Sequence, residues 1–122
     1  MENKIPKDAI TTRDRYIFSK ECETELPSTV NVCGIDYDIL QTEVIKAYED
    51  RNNAGLCDYF EQVIKVLRDL PPQRKRQVFI HELVHAILNE AGISDHEESL
   101  VESLTRVFYQ VLKDNDFSFM RN

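Results

Sequence analysis

A chain of 122 residues holds one domain with a modest core and is too short for two. Its 42% hydrophobic and 30% charged content is that of an ordinary globular protein, and no apolar run approaches the roughly 20 residues that cross a bilayer. With 22 acidic against 15 basic side chains the net charge is −7, which repels phosphate backbones and argues against a nucleic-acid partner.

The N-terminal stretch MENKIPKDAITTRDRY lacks the apolar segment of a secretion signal, so a cytoplasmic location is expected. Cys22, Cys33 and Cys57 make an odd set without a CxxC pair. Reduced thiols are expected, neither a disulfide framework nor an all-cysteine zinc knuckle. Residues 1–27, interrupted by Pro6 and Pro27, show no sustained periodicity and read as a loosely structured extension, with Tyr16, Ile17 and Phe18 to anchor it. The domain proper is expected over 28–122.

From Thr29 the pattern changes. Val30 and Val32, then Ile35, Tyr37 and Ile39, alternate with polar neighbours around Gly34, which predicts a hairpin. Residues 42–53 place Val44, Ile45 and Tyr48 on one side and predict a short helix that Asn53 and Gly55 break. A second hairpin is expected from Leu56–Tyr59 and Val63–Leu67, turning near Phe60 and Glu61. Pro71-Pro72 opens a helix over about 72–90, with Arg74-Lys75-Arg76 as a solvated flank and Ala91-Gly92 as its stop. Ser94 with Glu97 forms a capping-box pattern for a helix over about 95–114. Its Leu100, Val101, Leu104, Val107, Phe108, Val111 and Leu112 fall at helical spacing. The order predicts an α+β domain, a small antiparallel sheet of two hairpins packed on a helical pair.

Within the first helix, VFIHELVHAIL (78–88) carries polar side chains only at His81, Glu82 and His85. Four residues apart, the histidines share one helix face with Cβ atoms about 6 Å apart, so both imidazoles can converge on one ion. Glu82, about a quarter turn round, can reach a water at that ion without ligating it. This is the HExxH arrangement of zinc hydrolases. A buried polar group left unsatisfied costs about 1–3 kcal/mol. Three of them in an apolar helix therefore call for a divalent cation.

Catalytic zinc takes three protein ligands. The pattern HExxHxxGxxH is absent, since Leu88 stands in place of its glycine and Ala91 in place of its histidine. His96, Glu97, Glu98 and Glu102 are the candidates beyond Gly92. Glu98 and Glu102 share a face that Thr105 and Tyr109 continue.

HELVHAIL, then ESLVESL, then YQVLKDN resembles the small phage and mobile-element zinc metallopeptidases of the ImmA/IrrE type, which are minimal gluzincins. The resemblance covers roughly residues 29–115. Glu98 to Glu102 lies over that family's ExxAN pattern and departs from it at Val101 and Glu102. It implies a zincin-like fold, Zn2+ held by His81, His85 and Glu98, and Glu82 as the general base of peptide hydrolysis. It also implies a protein substrate of regulatory type, such as a repressor. Glu102, one turn beyond Glu98, is then a candidate to hold a ligand histidine. Tyr109 is the candidate oxyanion donor, with Tyr59 and Arg106 as alternatives. A strand edge beside the zinc would let an extended substrate add as a strand. The rival expectation is a zinc-stabilised binding or regulatory module without proteolysis, for which a base beside the ion has no use.

Overall fold

The computed structural model describes residues 26–43 and 54–121. The expected arm with Tyr16, Ile17 and Phe18 lies outside them, as does the expected helix from residue 44 on, while Thr42 closes a strand.

Among the described residues four strands form one sheet: β1 (Thr29–Val32), β2 (Ile35–Thr42), β3 (Gly55–Asp58) and β4 (Val63–Leu67), in the order β1-β2-β4-β3. Both hairpins are present and antiparallel, with Val32 opposite Ile35 and Asp58 opposite Val63. The first turns through Cys33 and Gly34 at φ 56° and 88°, the pair of positive values that matches strand twist in a two-residue loop. Asn31 steadies it, its Oδ1 accepting from the Gly34 amide at 2.9 Å. The second turns through Phe60 and Glu61, where Asp58 Oδ1 accepts from the Glu61 amide.

The two hairpins join in parallel, β2 against β4 with Asp38 opposite Val63 and Thr42 opposite Leu67. The sheet is therefore mixed, where an antiparallel sheet was expected. Each hairpin is encoded by its own alternation and turn. How two hairpins dock is set by which strands can be buried in the centre. Tyr37, Ile64 and Val66 are fully buried, and they belong to β2 and β4. The edge places fall to β1 and β3.

Helix α1 (Pro72–Glu90) packs over β3 and β4 and touches β1. Pro72 sits in its first turn, where the missing amide proton costs nothing. Its buried face carries Phe79, Ile80, Glu82, Leu83, Val84 and Ala86. Tyr37 Oη donates to Glu90 Oε2 at 2.8 Å and ties the sheet to the end of the helix. Lys75, expected in a solvated flank, is buried, and its ammonium donates to Gln41 Oε1 of β2 at 2.8 Å. Gly92, at φ 87°, closes α1: the Gly92 amide donates to Asn89 O and the Ile93 amide to Leu88 O, the paired bonds of a Schellman motif.

Helix α2 (Glu98–Asp114) begins three residues later than expected, and the capping box does not form: Glu97 is the N-cap and makes no side-chain cap bond. Residues 93–97 serve as a connector that places His96 against α1 instead. Of the apolar positions expected to pack, Val101 is fully buried and Phe108 packs at the core edge. Leu100, Leu104, Val107 and Leu112 are 39–61% exposed among the described residues. Helical periodicity places these side chains on adjoining stripes, and α1 covers only the stripe through Val101, Thr105 and Phe108. A short 3-10 turn (Ser118–Arg121) follows. Among the described residues no helix is long and apolar enough to cross a membrane.

Candidate metal centre and active site

The helical pair and β3 enclose a cleft of about 860 Å³, with His81, Glu82 and His85 from α1, Glu98, Glu102, Thr105 and Tyr109 from α2, and Gly55 to Cys57 from β3. Because the histidines are one turn apart on α1, their rings sit edge to face with centroids 5.2 Å apart. Both Nε2 atoms address one carboxylate: His81 Nε2 lies 2.6 Å from Glu98 Oε2 and His85 Nε2 lies 3.2 Å from Glu98 Oε1. Among the described residues these three side chains form the one group of His, Cys, Asp or Glu compact enough to share an ion, their ligand atoms lying within 4.8 Å of one another.

The electrostatics of the cluster fit a cation. Burial holds the His85 imidazole below the usual histidine range, and the neighbouring histidines reinforce this against the pull of Glu98. A neutral imidazole has a ring-nitrogen lone pair to give, and the Glu98 carboxylate offers two oxygens. Both are natural donors to a dication between them.

Glu82 is 8% exposed, against 57% for the Glu98 side chain. Burial, with the nearby Glu98 charge, pushes its carboxyl up to about 8. Space for it comes from Gly55. A Cβ built there would lie 2.6 Å from Val78 Cγ1 and 2.8 Å from Glu82 Oε2. The sequence marks Gly55 as a chain break. Its place is the first residue of β3, where α1 and its glutamate approach so closely that an added side chain would force Val78 and Glu82 to shift. No local pattern signals that role.

The remaining candidates divide. His96, weighed as a ligand, stands behind His85 rather than beside Glu98: its Nε2 is 3.0 Å from His85 Nδ1, and its Nδ1 is 2.6 Å from the Ile93 carbonyl oxygen. Glu97, likewise weighed, is exposed at the N-cap of α2 and does not line the cleft. Glu102 lines the cleft but is exposed, and among the described residues it bonds neither motif histidine. Tyr109 lines the cleft with its hydroxyl buried and without a partner among the described residues, and Thr105 Oγ1, one turn away, is in the same state. Tyr59 and Arg106 also line the cleft, and Tyr59 Oη lies 3.5 Å from His85 Nδ1.

A family model described as Peptidase_M78, IrrE N-terminal-like domain, matches residues 38–107. The match runs from β2 to the middle of α2 and takes in His81, Glu82, His85 and Glu98. Comparison with curated proteins and with solved structures gives no match.

Proposed function

The chain belongs to the Peptidase_M78 family of IrrE N-terminal-like domains, and on that premise we propose that it is a zinc-dependent endopeptidase acting on a regulatory protein in the cytoplasm. The observation that carries the reading is the convergence of His81, His85 and Glu98 beside a buried, unligated Glu82. A purely structural ion would leave that carboxylate without a use.

His81, His85 and Glu98 would hold the ion. Zinc in such a site lowers the pKa of water and polarises a carbonyl. Glu82 takes the proton of the attacking water and returns it to the departing amine. Its burial keeps the carboxyl close to neutral pH, where taking and giving up a proton are both easy, and a dication nearby draws it back toward the ionised form. Tyr109 would be the donor for the oxyanion, which would supply its hydroxyl with the partner it lacks among the described residues. β3 is an edge strand whose residues border the cleft, so an extended substrate can pair with it and cross the ion.

The test compares three proteins. Wild type is expected to bind one zinc, and His85→Ala to lose it. Glu82→Gln is expected to keep metal and fold while cleavage falls by roughly 100-fold or more, as for a lost general base. A proteome-wide search for fragments that appear with wild type and not with Glu82→Gln would supply the substrate. Equal cleavage by both would remove Glu82 from the chemistry.

A further inference from the structure

His85 presents two nitrogens with different neighbours. Nε2 faces Glu98 Oε1 at 3.2 Å, and Nδ1 faces His96 Nε2 at 3.0 Å. A neutral imidazole carries one proton, and its location decides which nitrogen has a lone pair to give. The answer lies one residue further out. His96 Nδ1 sits 2.6 Å from the carbonyl oxygen of Ile93, which can only accept, so Nδ1 of His96 carries its proton. With that proton on Nδ1, His96 offers the lone pair of Nε2, and once His85 Nε2 gives its lone pair to a metal instead of a proton to Glu98, the proton of His85 lies on Nδ1, which donates to His96. The proton of His85 is thereby kept on the side away from Glu98.

We propose that His96 is a positioning residue that locks His85 as its Nδ1–H tautomer through an imidazole–imidazole–carbonyl relay, leaving Nε2 free to ligate. The inference rests on the zinc reading above and extends it to a residue outside the ligand set. The relay is anchored on the helix it serves. The Ile93 amide donates to Leu88 O of α1, so the carbonyl at the far end of the relay is fixed relative to His85 by the Schellman turn at Gly92. Ligand histidines ordinarily give their second N–H to a carboxylate, a carbonyl or water. Here the acceptor is a second imidazole, itself oriented by a carbonyl. Tyr59 Oη, at 3.5 Å, is the longer of the two contacts to Nδ1. The ring packing agrees, with the His85 and His96 centroids 5.1 Å apart and the planes tilted by 41°.

The experiment measures Zn2+ affinity of the full chain by competition with a chromogenic chelator, for wild type, His96→Phe and His96→Gln. Phenylalanine keeps a ring and removes the acceptor, while the glutamine Oε1 can take the place of Nε2. His96→Phe is expected to bind zinc about 10–100-fold more weakly, and His96→Gln to stay within about threefold of wild type. In nitrogen-proton correlation spectra of the zinc-loaded wild type, His85 is expected to show a protected Nδ1 proton and a metallated Nε2. Wild-type affinity in His96→Phe would overturn the proposal, as would a loss in His96→Gln equal to that in His96→Phe. Should His96→Phe fail to fold by circular dichroism, the wild-type spectrum decides: His85 without an Nδ1 proton overturns the relay. Wild type that takes up no zinc brings down the zinc reading itself, a result distinct from any of these.

Discussion

At the residue scale, Glu82 behaves as the most unusual titrating group of the cleft. Its folded-state value of about 8 stands above the ordinary 4.5 because burial disfavours the anion. Between those two values the native state holds more protons than the unfolded chain, so stability falls as pH rises through that window. In chelator-treated protein this loss is expected from about pH 5 to about pH 8, and Glu82→Gln, which cannot ionise, escapes it. The readout is the difference in melting temperature between the two proteins, which should widen toward pH 8. A difference that stays flat across the window would mean that the carboxylate is well solvated. Zinc should narrow the gap in loaded protein, because a neighbouring dication favours the ionised form.

The elements place these residues through close approach more than through propensity. α1 lies so near β3 that Gly55 has no room for a methyl group, the constructed Cβ meeting Val78 and Glu82 below 3.0 Å. Gly55→Ala is expected to cost about 1–3 kcal/mol in chemical denaturation, the usual range for overpacking. It should also reduce cleavage while leaving zinc affinity near wild type, since Glu82 and not a ligand is displaced. Unchanged activity would show that β3 can retreat without disturbing the base. α2 carries the opposite lesson. Its apolar stripe predicts a helix correctly, yet only Val101 of that stripe is fully buried, while Leu100, Leu104 and Val107 stay largely open among the described residues. Periodicity specifies a face. It does not specify what packs on it.

For the whole molecule, the candidate ion site joins α1 to α2, and few buried side chains of α2 share that task, namely Val101 and Thr105. A metal bound only by the native state stabilises it by mass action, about 4 kcal/mol when free zinc is 1,000-fold above the dissociation constant. Removing zinc with a chelator is therefore expected to lower the melting temperature, and restoring zinc to raise it. His81→Ala should melt at one temperature in either condition. A zinc response that survives in His81→Ala would place the ion elsewhere.

Several features could be read directly from the chain because they depend on neighbours within a few positions. The alternation around Gly34, the proline entry and glycine exit of α1, and the HExxH face of that helix are local arrangements of side chains, and the structure keeps each of them. Glu98 needed more than spacing: its place followed from resemblance to a family, and the geometry brings it to both histidines. The parallel joining of the hairpins, the fit of Gly55 against Glu82, and the position of His96 behind His85 were decided in three dimensions. Each depends on segments distant in sequence coming within a few ångströms, and no residue type or period records such a distance. Spacing marked a candidate metal motif on one helix of a pair. Packing determined which strand borders it and which imidazole stands behind His85.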